Sequence, residues 1–175
     1  MKSINKYIQE KLVIKKSNYN YFPNTKEEFL DILRKLIKER GNEGDFNDIG
    51  TSEITDMANV FISNKDFNGD ISKWDVSNVK TMKGMFRECK NFNKPLNDWD
   101  VSSVEDMEGM FAHCKSFNQP LDKWKVSNVD TMWYMFNCAE SFNQDISNWD
   151  TSNTSALWVF ERCPIEEKYK PKFRY

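Results

Sequence analysis

A step of 25 residues runs through most of this chain and limits its fold more severely than any other feature. Trp74, Trp99, Trp124 and Trp149 keep that spacing, as do Phe67, Phe92, Phe117 and Phe142, each followed by an asparagine, Asn68, Asn93, Asn118 and Asn143. Met57, Met82, Met107 and Met132 repeat in the same way, and so do Phe61, Phe86, Phe111 and Phe136. The aligned copies read F-N-x-x-[IL]-x-x-W-x-V-S-x-V-x-x-M-x-x-M-F. They close on Cys89 and Cys114, or one place earlier on Cys138 and Cys163. A degenerate earlier copy is visible in Phe46, Ile49, Thr51, Ile54, Met57 and Val60, which makes five coils beginning near residues 42, 67, 92, 117 and 142. A unit this short cannot bury its apolar edge alone, so its stability must come from stacking on its neighbours.

Spacing inside the unit predicts the local structure. Leu96-x-x-Trp99-x-Val101 reads as the L-x-x-L-x-L strand of a leucine-rich repeat, whose range of periods takes in the one seen here. Trp99 and Val101 alternate with period two. Val104, Met107, Met110, Phe111 and Cys114 step by three and four, as one face of a helix does. The expected fold is therefore an α/β repeat, a leucine-rich-repeat-like solenoid of strand, turn and short helix. The tryptophans should fill its interior, and replacing one by alanine should cost roughly 3–5 kcal/mol. In the Asn column, either each side chain bonds the turn backbone or asparagine is present only because it favours turns.

Asp75-Val76-Ser77-Asn78-Val79-Lys80-Thr81-Met82-Lys83-Gly84-Met85-Phe86 and its later copies resemble the repeat of BspA-like leucine-rich-repeat proteins, a repeat also found in surface lipoproteins of mycoplasmas. The likeness covers about residues 46–163. It implies a right-handed solenoid without catalysis, acting in adhesion and protein–protein contact.

The flanks read as covers for the ends of the stack. Thr25-Lys26-Glu27-Glu28 is a capping box after Pro23. Phe29, Ile32, Leu33, Leu36 and Ile37 form one apolar stripe before Gly41, which predicts a helix over roughly 26–40. Residues 4–14 suit a helix or a strand. Beyond Cys163, the tail carries Tyr169, Phe173 and Tyr175 as cover for the last coil. The organisation is thus an N-terminal helical cap over 1–41, the repeats over 42–163 and a capping tail over 164–175.

Charge and composition exclude several classes of function. Residues 1–40 carry 10 basic and 5 acidic side chains, residues 41–163 carry 11 and 20, and residues 164–175 carry 4 and 2. The net charge of -2 gives the whole molecule no general pull on nucleic acid or anionic membrane. No apolar run approaches the length that a membrane-spanning helix needs, so no membrane span is expected. The start lacks the features of a secretory signal, which points to the cytoplasm, with the cell surface or secretion as the alternative.

Residues with catalytic or metal-binding chemistry are sparse. The single histidine, His113, occupies a slot filled by Glu88 and Cys138 in other copies and reads as a solvated helix-face residue. No Cys-x-x-Cys pair or glycine-rich phosphate loop occurs, so no cofactor, metal or enzymatic activity is expected. Cys89 with Cys114, and Cys138 with Cys163, share slots in adjacent coils, close enough to invite bridging. Reduced thiols acting as small core residues suit a cytoplasmic protein better.

Two surfaces qualify as partner sites. The strand face carries a column of Lys73, Asp98, Lys123 and Asn148 beside one of Asp75, Asp100, Lys125 and Asp150. At the usual strand spacing, five coils make a face about 20 Å across, though the mixed charges can also satisfy one another along the columns. The second surface lies where the repeat breaks its rule. The slot of Lys83 and Glu108 becomes Trp133 and Trp158, and the slot of Gly84 and Gly109 becomes Tyr134 and Val159. These aromatics either form an exposed contact patch or lie beneath Tyr169 and Phe173. The expected function is a non-enzymatic module that binds another protein, of no assignable identity, through one or both surfaces. Alternatives are a surface or secreted adhesin and, less favoured, an acidic inhibitor protein.

Overall fold

A computed structural model describes residues 19–173. The expectations for residues 4–14 and for Tyr175 lie outside the described residues. One α-helix forms, α1 (Lys26–Arg40), and its boundaries follow from local chemistry. The Thr25 hydroxyl accepts the Glu28 N–H at 3.2 Å, while the Glu28 carboxylate accepts the Asn24 N–H at 2.8 Å. Gly41, at φ 76°, closes the helix with its N–H on the Ile37 carbonyl. The buried stripe of Phe29, Leu33 and Leu36 covers the first coil, and the Phe29 ring meets Trp74 edge-on at 5.2 Å.

The α/β leucine-rich-repeat-like solenoid is contradicted. Among the described residues α1 is the only α-helix, Glu167–Tyr169 forms one 3-10 turn, and the β pairing amounts to six isolated parallel bridges that build no sheet. The coils are instead chains of three-residue turns. Where a helix was expected, the N–H groups of Met85, Arg87 and Cys89 donate to the carbonyls of Met82, Gly84 and Phe86. The alternate N–H groups of Met82, Gly84, Phe86 and Glu88 donate to Asp106, Glu108, Met110 and Ala112, one coil further on. Gly84 and Glu88 both have left-handed backbone, at φ 60° and 65°, which an α-helix cannot contain. Where a strand was expected, the Trp99 N–H reaches back to Leu96 and that of Val104 to Val101. The period-two pair Trp99 and Val101 marks the junction of two turns.

What does repeat is the stacking. Parallel bridges join Asp56 to Thr81, Thr81 to Asp106 and Asp106 to Thr131, each exactly one period of the sequence apart. All four repeat tryptophans point inward, none more than 5% exposed. Their indole N–H groups donate to the carbonyls of Phe46, Ile71, Leu96 and Leu121 at 2.9–3.2 Å. Like rings lie on like rings, as in Phe86 on Phe111 at 5.5 Å and Trp124 on Trp149 at 6.2 Å. Such offset pairs add about 0.5–1.5 kcal/mol each beyond the area they bury. The Asn column forms a hydrogen-bonded ladder in which each side-chain oxygen accepts the backbone N–H one rung on, from Asn93, Asn118, Asn143 and finally Glu166.

The last rung falls short of the period by a single residue. Ser155 bridges back to Thr131, and Phe160 stacks on Phe136 at 5.8 Å. From this point Trp158 lies over Tyr134 and Val159 over buried Met135. The same deletion puts Cys163 in the slot of Cys89, Cys114 and Ala139, while Cys138 shares the slot of His113. The expected pairing of Cys138 with Cys163 in one slot is therefore wrong, and all four cysteines are free. Residues 164–173 continue over one side of this rung, where Tyr169 accepts the Ile146 N–H and Lys172 accepts the Thr151 hydroxyl.

Candidate functional site

The expected charge columns are held by the turns they belong to. The Ser77 hydroxyl and N–H both donate to Asp75, Ser102 does the same to Asp100, and the Ser152 N–H donates to Asp150. The Ser102 hydroxyl and N–H hold the Asp100 carboxyl below the usual carboxylate range. Lys123 pairs with Asp98 at 2.7 Å across one rung. Asp98, Asp100, Lys123 and Lys125 line a shallow depression of about 350 Å³, whereas Lys73 lies at the N-terminal end in a hollow beside Arg40 and Asp48. On this face Asp75, Asp98, Asp100, Lys123, Asn148 and Asp150 are engaged by neighbouring side chains or by backbone.

The aromatic positions are arranged differently from the sequence expectation. No helix carries them. The one-residue deletion separates Trp133 from Trp158, which do not share a column. Trp133 follows Ala58, Lys83 and Glu108, and its indole N–H donates to the Ser155 hydroxyl at 2.8 Å. Leu157, not singled out from the sequence, is its successor. Tyr134 and Trp158 belong to the column of Asn59, Gly84 and Gly109, and all five have left-handed backbone, at φ between 51° and 60°. Their two rings stack at 5.3 Å. Trp133, Tyr134, Leu157 and Trp158 are 40, 37, 40 and 52% exposed and form one apolar surface. Phe173 does not cover them but meets Phe160 at 6.3 Å.

The backbone makes this surface unusual. Glycine, which lacks a Cβ, and asparagine, whose short polar side chain can bond locally, tolerate φ near +60°, but other side chains are strained there by about 1–2 kcal/mol. At Gly84 the space is also closed, since a Cβ would lie 2.4 Å from the Asn59 side-chain oxygen. Two of the bulkiest side chains thus occupy, at adjacent rungs, positions where the backbone favours none. Below them the glycines leave a groove of about 260 Å³, with Tyr134 as one wall and Arg87, Glu108 and His113 among its other residues. His113 is also left-handed, at φ 61°, and lies in a turn rather than on the helix face expected. The left-handed pattern was legible in Asn59, Gly84 and Gly109, but the deletion hid Trp158 from that column. The spacing from Phe136 to Phe160, one short of the period, was the available signal.

Among the described residues no helix is long and apolar enough to cross a membrane. No curated protein and no solved structure matches the chain. A family model does match, over residues 32–149 and again over 99–163, which together span more than half of the chain and take in every complete repeat. The chain belongs to the family described as Mycoplasma protein of unknown function, DUF285.

Proposed function

We propose that the chain is a non-enzymatic binding module whose partner is another protein, docked on the surface of Trp133, Tyr134, Leu157 and Trp158. One observation carries this reading. Tyr134 and Trp158 are exposed, stacked on each other and held in left-handed backbone where the earlier rungs use asparagine or glycine. Left-handed backbone with a side chain also recurs at Ser63, Glu88, His113, Cys138 and Arg162, so what sets this pair apart is its size and exposure. Strain kept under two bulky exposed rings fits a role other than stability, and clustered exposed aromatics are the side chains that anchor interfaces. The charge columns of Asp75, Asp100, Lys125 and Asp150 and of Lys73, Asp98 and Lys123 contribute at most a polar rim, because so many of their groups are engaged internally. The resemblance to BspA-like repeat proteins agrees with a role in protein contact, in the cytoplasm or in adhesion at a cell surface.

The test is affinity capture from extract of the source organism, with immobilised wild type and a Tyr134→Gly, Trp158→Gly double variant. Glycine suits the backbone at both positions, so the variant should fold and lose the partner. Equal capture by both proteins would refute the reading.

A further inference from the structure

The stack has a hydrogen-bonding direction, and its last rung leaves that direction unfinished. In each interior rung four alternate N–H groups donate to carbonyls of the next: Met107, Gly109, Phe111 and His113 to Thr131, Trp133, Met135 and Asn137, then Met132, Tyr134, Phe136 and Cys138 to Ser155, Leu157, Val159 and Glu161. The successors in register are Ala156, Trp158, Phe160 and Arg162, whose N–H groups have no partner among the described residues. Their backbone repeats that of the rung before, with Trp158 and Arg162 at φ 51° and 55° against 58° and 56° at Tyr134 and Cys138. Four parallel donors, at every second residue, therefore face away from the stack, and the residues of three of them, Ala156, Trp158 and Phe160, line an open trough of about 980 Å³. Residues 164–173 form the trough's far wall, where three lysines stand against two carboxylates: Lys168 pairs with Glu166 at 2.8 Å, Lys170 pairs with Glu167, and Lys172 adds the excess positive charge.

An unpaired edge of this kind is a template for adding another backbone. We propose that it binds an extended acidic segment of a partner protein, whose alternate carbonyls accept the four N–H groups while its carboxylates meet the lysines. This rests on the docking function proposed above and specifies its mode. The alternative occupant, a second copy of this chain, fits poorly. Two such edges meeting each other would bring only donors. The opposite end of the stack offers the carbonyls of Ala58, Val60 and Ile62, but Lys26 Nζ already donates to that of Ala58 at 2.8 Å, and α1 covers the first coil.

The probe is an end-blocked seven-residue peptide of alternating aspartate and valine, with a lysine-for-aspartate peptide as control, added to the full chain and read by amide hydrogen exchange. The acidic peptide should slow exchange at Ala156, Trp158, Phe160 and Arg162 by about tenfold or more and leave Met132 and Tyr134 unchanged. A Lys168→Glu, Lys172→Glu variant, with unaltered melting, should reverse the preference between the peptides. Unchanged exchange at the four edge amides, or equal protection by the two peptides, overturns the proposal. If the natural partner is lost from the Tyr134→Gly, Trp158→Gly variant while those amides stay unprotected in the wild-type complex, the docking surface stands and the edge mode alone fails.

Discussion

Replacing Tyr134 by glycine and, separately, by alanine isolates the backbone strain at the aromatic surface. Both changes remove the ring, and with it the 5.3 Å stack on Trp158, a loss of about 0.5–1.5 kcal/mol common to the two variants. Alanine keeps a Cβ at φ 58° and so keeps about 1–2 kcal/mol of left-handed strain. Glycine relieves that strain but gives back about 0.5–1 kcal/mol through the greater freedom of its unfolded chain. The glycine variant should therefore be more stable than the alanine variant by about 1 kcal/mol. Trp133, one residue earlier, is not among the left-handed residues, so there the order reverses and Trp133→Gly should be less stable than Trp133→Ala by about 0.5–1 kcal/mol. Urea unfolding followed by far-ultraviolet circular dichroism, with equal slopes across the four variants, measures each difference. An alanine variant at 134 as stable as the glycine variant, or the same order at both positions, would refute the strain argument and remove the main support for the docking surface.

Four further outcomes are expected. Trp124→Ala should destabilise by about 4–6 kcal/mol, from the cavity and from the Leu96 carbonyl left without its indole donor, while Trp124→Phe should cost about 1–3 kcal/mol; a loss under about 1 kcal/mol for the alanine variant in the same assay would contradict the inward packing. Burial pushes the Cys89 thiol up to about 12 and the Cys114 thiol well above its ordinary value. The folded form therefore holds protons that the unfolded chain releases, and this contribution to stability, intact below about pH 9, is lost as pH rises from there toward about 12. At neutral pH a thiol reagent should modify Cys138 first and leave Cys89 and Cys114 untouched until unfolding; early labelling of the latter pair by peptide mass spectrometry would contradict their burial. The Arg40 guanidinium, bonded to both Asp48 oxygens at 2.7 and 2.9 Å, holds that carboxyl below the usual carboxylate range. A lowered folded value stabilises above the ordinary carboxylate pKa and fades as pH falls through it, so Asp48→Asn should weaken the protein near neutrality and flatten its acid unfolding below about pH 4; an unchanged acid limb would count against the pair.

Much of the interior was legible because the repeat fixes which side chains coincide. The positions of the tryptophans and phenylalanines and the stripe of α1 follow from spacing and capping, whereas spacing aligned the Asn column but left open whether its side chains bond backbone, which the inter-rung ladder decides. The local conformation was not legible, for a physical reason. A chain of three-residue turns buries Val104, Met107, Met110 and Cys114 at three- and four-residue steps, the same signature that a helical face gives, and only the backbone at Gly84 and Glu88 separates the two. The aromatic surface was found by its departure from the rule, but its geometry was misread. The one-residue deletion near Ser155 happens to leave Trp133 and Trp158, and likewise Cys138 and Cys163, one full period apart, so the sequence shows columns where the backbone has already shifted. The unpaired amides of the last rung involve main-chain atoms alone, which no side-chain pattern can report.

Scalar couplings transmitted through backbone hydrogen bonds, recorded on deuterated protein, test the stacking and its register together. Couplings should link the Gly84 N–H to the Glu108 carbonyl, Gly109 to Trp133 and Tyr134 to Leu157. Their absence, or a coupling from Tyr134 to Trp158 in place of Leu157, would contradict the arrangement on which the aromatic surface and the open edge both depend.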